Sequence, residues 1–91
     1  MKYEVIYTNQ FKKDLKLAKK QNKDLDKLYK IVELLSTGNS LGLAYNDHSL
    51  MGDYRGYREY HIESYWLLIY KIQDEKLLLS LSRLGSHSDL F

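Results

Sequence analysis

The chain has 91 residues, a net charge of +2 and an apolar fraction of 44%, which describes one small folded domain, residues 1–91, and excludes a disordered chain. It has no cysteine, so a disulfide framework and a thiolate metal site are excluded. No apolar stretch approaches the roughly 18 residues of a membrane helix, and Met1-Lys2-Tyr3 leads into an alternating run rather than a signal segment, so a cytoplasmic protein without membrane contact is expected.

Tyr3-Glu4-Val5-Ile6-Tyr7 alternates and predicts a strand. Thr8 or Asn9 can cap a helix whose apolar stripe is Phe11, Leu15 and Ala18. Lys12, Lys16, Lys19, Lys20 and Lys23 form a second stripe beside it. Residues 1–30 carry nine lysines against four acids, a balance of +5, while the rest carries five cations against eight acids, or −3. Such asymmetry suits a face that meets a polyanion; its plain alternative is a solvated helix surface.

Asn22 breaks the helix, and a second follows from Asp24 to Leu35 with Leu25, Leu28, Ile31, Val32 and Leu35 facing inward. Gly38, Gly42 and Gly52, with Gly56 just after, mark residues 38–55 as a loop region that carries His48. Three strands are then predicted, Tyr57 to Glu63, Trp66 to Ile72 and Leu77 to Arg83, with Asp74-Glu75 turning between the last two. The middle one is almost wholly apolar and reads as central. The order β-α-α-β-β-β describes an α+β domain, an antiparallel sheet with the N-terminal helix hairpin packed on one face.

Histidines 48, 61 and 87 all fall in the second half, and Arg83 precedes the tail Leu84-Gly85-Ser86-His87-Ser88-Asp89-Leu90-Phe91. Imidazoles exchange protons near neutrality, and a guanidinium is a fixed cation shaped for phosphate. Together they can cleave a phosphodiester without a metal. A zinc site built from the three histidines would lack the close ligand pair such sites usually show, so no metal or other cofactor is expected.

Strand alternation puts Tyr57, Glu59, His61 and Glu63 on one polar face, where Glu59 or Glu63 can influence His61. Arg83 shares parity with the core-like Leu77, Leu79 and Leu81, which requires the strand to end or bulge before it. Trp66 and Tyr70 read as core packing. Phe91 is either a packing plug or a stacking platform for a base.

Taken together, Phe11-Lys12-Lys13-Asp14, Asp47-His48-Ser49-Leu50 with Gly52, Tyr57-Arg58-Glu59, His61-Ile62-Glu63, Leu67-Leu68-Ile69-Tyr70 and the tail from Arg83 resemble the YafQ type of the RelE/ParE toxin superfamily, over essentially the whole chain. The resemblance implies a ribosome-dependent mRNA endonuclease that halts translation by cutting mRNA in the ribosomal A site. It implies functional roles for His48, His61, Trp66, Arg83, His87 and Phe91, with His48, His61, Arg83 and His87 expected to be catalytic and Trp66 and Phe91 to bind substrate; Glu63 and Arg58 are further expected substrate contacts. Lys12, Lys16, Lys19, Lys20 and Lys23 would contact ribosomal RNA. The implied partner is a small RelB- or DinJ-like antitoxin, with operator DNA bound only through that complex.

The chain has Tyr65 where the family pattern has an aspartate before the tryptophan; Glu63 or the tyrosine hydroxyl would replace it. His61 or His48 would be the base and His87 the acid. Two other readings share the fold: a non-enzymatic ParE-like inhibitor of DNA gyrase, and an inactive binding partner or co-repressor.

Overall fold

The computed structural model describes residues 2–38, 47–50 and 52–91. Thr8 starts the first helix: its hydroxyl accepts from the Phe11 amide and donates to the Leu81 carbonyl, tying the helix start to the last strand. Elements run β1 (Glu4–Tyr7), α1 (Asn9–Lys20), α2 (Leu25–Ser36), β2 (Asp47–Ser49), β3 (Arg58–Glu63), β4 (Trp66–Gln73), β5 (Leu78–Gly85) and α3 (His87–Leu90). Asn22, at φ 58°, turns the chain from α1 toward α2, and the Asp24 carboxylate caps α2 by accepting from the Lys27 amide.

The strands form one sheet in the order β1-β5-β4-β3-β2. The helix pair packs on one face, as the α+β reading expects. Its core holds Phe11, Ala18, Leu28, Val32 and Leu35 from the helices, and Tyr60, Trp66, Leu68, Tyr70, Leu79 and Leu81 from the sheet. β4 is buried from Trp66 through Tyr70, because both of its faces are covered.

Three features go beyond the sequence reading. β1 pairs with β5 in parallel, since the helix pair carries the chain across the sheet and β5 returns between β1 and β4; the sheet is mixed. A short strand, β2, carries His48 where a loop was expected; residues 39–46 of that region lie outside the described residues. The tail forms α3, held by a reciprocal cap between Ser86 and Asp89. Leu77, expected in the third strand, sits instead in the left-handed turn at φ 53° and is half exposed.

A second, smaller core lies on the sheet face away from the helices. Leu67, Ile69 and Leu90 are buried there, with Leu50, Tyr54 and Tyr57 packed around them. Gly85 lets α3 approach: a Cβ there would stand 3.3 Å from the Leu90 side chain.

Candidate active site

The parity of Arg83 is settled by a bulge. Leu81 pairs with Tyr70 and Arg83 with Ile69, so Ser82 is the extra residue. Leu79 and Leu81 therefore point into the helix-side core, while Arg83 leaves it for the opposite face. Register then builds two rows on that face. One runs through His48, Glu59, Ile69 and Arg83; the next runs through His61, Leu67 and Gly85. With strands about 4.8 Å apart, Glu59 and Arg83 are separated by roughly 10 Å across Ile69. Leu67 and Ile69, buried under Leu90, Leu50, Tyr54 and Tyr57, form an apolar divide between two polar rims.

The Arg83 rim is tightly built. Its Nε donates to Asp14 Oδ2 at 2.8 Å and its Nη2 to Oδ1 at 3.5 Å. Asp14 Oδ2 also accepts the Leu84 amide at 3.0 Å, on the stretch of β5 beyond its pairing with β1. The hydrogen bond to Asp14 raises the Arg83 pKa above its ordinary value, against the pull of burial; the Asp14 charge and Tyr54 act in the same upward sense. The guanidinium is thus a fixed cation in a fixed place.

Tyr54, in a 3-10 turn before β3, meets Tyr57 edge-on at 6.1 Å and Phe91 at 5.3 Å. The Phe91 ring lies 4.6 Å from the His87 ring at a 34° tilt. His87 and Phe91 share one side of α3 as i and i+4, because Leu90 anchors the other side. Phe91 remains 52% exposed, so Leu90 is the plug and Phe91 an open ring.

On the far rim His61 Nε2 lies 3.3 Å from Glu59 Oε1. Glu59 Oε2 is buried without a hydrogen-bond partner among the described residues. A buried acceptor of this kind calls for a partner side chain, a water or a bound group.

The expected site residues divide. Arg83 and His87 stand at one rim with Phe91, and His61 at the other. The backbone of His48 lies on the Glu59 row, and its side chain lies outside the described residues. Three expected substrate contacts are elsewhere. Trp66 is 2% exposed in the helix-side core, as its apolar strand context indicated, so it offers no free face for stacking. Arg58 points to the helix side and donates to Ser49 Oγ at 2.8 Å. A second register shift, between His61 and Glu63, pairs Glu63 with Trp66 and takes it off the His61 face. Tyr65 occupies the β3–β4 turn at 82% exposure, and the carboxylate beside His61 is Glu59.

Lys12, Lys16, Lys19 and Lys20 are exposed along α1; Lys23 is half-buried, with Nζ 5.9 Å from the Trp66 ring centroid. Sequence reasoning passed over two site residues, Asp14 and Tyr54. Asp14 left a signal as the sole acid in α1; Tyr54 left none. Among the described residues no cluster of three or more His, Cys, Asp or Glu side chains is placed to hold a metal, and no helix is long and apolar enough to cross a membrane.

The chain is similar to known proteins over nearly its whole length. The family described as "Bacterial toxin of type II toxin-antitoxin system, YafQ" matches residues 3–91. The Escherichia coli K12 protein named "mRNA interferase toxin YafQ" is 44% identical over 90 residues, covering 97% of this chain and 95% of the relative. The toxin in the E. coli DinJ-YafQ toxin-antitoxin complex superposes with a TM-score of 0.85 at 42% identity, covering 100% of this chain and 99% of that one. A Helicobacter pylori toxin, crystallised metal-bound, gives 0.89 at 42% identity, with 98% and 99% covered.

Proposed function

Because the chain belongs to the YafQ family of toxins from bacterial type II toxin–antitoxin systems, we propose that it is an mRNA interferase, an endoribonuclease that cuts mRNA in the ribosomal A site without a metal. The observation that carries the reading is one sheet face with a carboxylate–imidazole pair on one rim and, on the other, a guanidinium clamped by Asp14 and linked through Tyr54 and Phe91 to a second imidazole, His87. The relatives' names favour it over the gyrase-inhibitor reading.

The chemistry follows from those groups. The RNA 2′-OH attacks the adjacent phosphorus once a base takes its proton, and an acid then protonates the departing 5′-oxygen. His61 serves as base, paired through Nε2 with Glu59; His48, on the Glu59 strand row, is the alternative base. Arg83 neutralises the charge that builds on the phosphorane, using the donors Asp14 leaves to it. His87 is the acid at the leaving oxygen, and Phe91 stacks on a base next to the cut. The exposed lysines of α1 contact ribosomal RNA. A DinJ-like antitoxin binds the toxin, as DinJ does in the E. coli complex, and carries the operator-DNA contact; the pair works in the cytoplasm.

Induced wild type should arrest translation and leave codon-phased mRNA ends bearing 5′-OH and 2′,3′-cyclic phosphate or 3′-phosphate groups. Arg83→Ala should slow cutting roughly 10²- to 10³-fold, and a 2′-deoxy residue at the cut should block it. Replication arrest with intact mRNA would sink the reading. Ends bearing 5′-phosphate would refute the 2′-OH mechanism.

A further inference from the structure

One surface feature plays no part in the site described above. The β3–β4 turn lifts Tyr65 into solvent at 82% exposure, the most exposed large apolar side chain among the described residues. Beside it lies an open depression of about 470 Å³, walled by Lys23, Lys27, Ile62, Glu63, Tyr65 and Trp66. Lys23 comes from the α1–α2 connection and Lys27 from the first turn of α2, so two cations from the helix layer face an aromatic from the sheet layer. Glu63 is the one acid in the wall, leaving a positive excess.

Isolated exposed aromatics are ordinary; a free aromatic flanked by two ammonium groups is the pattern that binds unpaired nucleotides, the ring taking a base face and the cations taking phosphates. Placement supplies the second argument. His61 precedes Tyr65 by four positions, and the two are joined by the bulge that turns the end of β3 from the active face toward the helix side. α1 ends with Lys19 and Lys20, three residues before Lys23 of the depression. A strand that meets His61 and continues along the end of β3 would reach Tyr65 next.

We propose that Tyr65, Lys23 and Lys27 form a subsite for a nucleotide of the messenger RNA flanking the cut, its base stacked on Tyr65 and its phosphates on the two lysines. The subsite rests on the nuclease reading for its biological substrate, but its binding can be read without cleavage. Trp66 is the only tryptophan in the chain and lies in the wall, so its emission reports occupancy.

The test titrates the free toxin with a 2′-O-methyl RNA hexanucleotide, which cannot be cut. A saturable change in Trp66 emission is expected. Tyr65→Ser should weaken it about tenfold and Tyr65→Phe should retain it, because stacking needs the ring alone. Lys23→Gln with Lys27→Gln should lower the slope of log affinity against log salt by roughly 1.4, at about 0.7 per phosphate contact. Tyr65→Ser should melt like wild type, and on programmed ribosomes it should raise KM with kcat unchanged.

No emission change at saturating RNA, or Tyr65→Ser binding like wild type, overturns the proposal. So does loss of antitoxin affinity in Tyr65→Ser with the RNA titration intact, which would make the depression a protein contact. Equal weakening by Tyr65→Ser on ribosomes with and without message would assign it to ribosomal RNA and overturn the messenger assignment. An intact titration alongside uncut mRNA would instead refute the nuclease reading alone.

Discussion

Asp14 shows how one side chain can serve fold and site together. It takes two donors from Arg83 and the backbone amide of Leu84, so its loss leaves a backbone donor on β5 and a cation without their partner. Asp14→Ala should cost about 2 kcal/mol, since an unsatisfied amide carries most of its desolvation penalty. Urea unfolding measures that cost. Asp14→Asn keeps one acceptor and should lose less stability while slowing cleavage about tenfold, because the guanidinium is no longer held at two points. If Asp14→Asn cuts at the wild-type rate, the clamp has no part in aiming Arg83. Trp66 carries the opposite lesson: it belongs to the core. Trp66→Phe should lower the melting temperature, from a loss of about 1–2 kcal/mol of packing, and leave the proposed stacking on Phe91 intact.

At the scale of elements, α3 decides whether the site exists. Four residues cannot hold a helix by themselves, because nucleation costs more than one turn returns. α3 stands because Ser86 and Asp89 cap each other and Leu90 is buried over Gly85, Leu67 and Ile69. Leu90→Ala should therefore destabilise the protein by about 2–3 kcal/mol. It should also release His87 and Phe91 from the rim, so that activity falls further than the melting curve explains. Amide exchange at Phe91, whose N–H is held by the His87 carbonyl, gives the direct reading. Retained protection there in Leu90→Ala would show that the cap alone suffices. The two bulges work the same way: one extra residue at Ser82 turns Arg83 out of the core, and one at Ile62 removes Glu63 from the active face.

Over the whole molecule, pH and charge act through long-range pairs. Tyr3, next to β1, donates its hydroxyl to Asp74 at the β4–β5 turn, and this hydrogen bond raises the Tyr3 pKa above 10.0, with burial adding to it. The folded chain thus holds this proton more tightly than the unfolded one. Its contribution is present below pH 10 and is lost as pH rises through the folded pKa. Denaturant midpoints should fall above pH 10 more steeply in wild type than in Tyr3→Phe; parallel curves would exclude the linkage.

The chain by itself determined the two amphipathic helices, the central apolar strand and the α+β class, because helical and strand periodicities are local properties that burial rewards directly. It also pointed to Arg83, His61 and His87, since few side chains can move protons or hold phosphate. Only the tertiary structure decided which groups meet. Asp14 and Arg83 lie 69 positions apart, and no local pattern reports a contact at that distance. The faces taken by Arg83 and Glu63 depended on single-residue bulges, and in a period-2 strand one extra residue reverses every side chain beyond it. That is why the candidate groups were legible in the sequence and their arrangement was not.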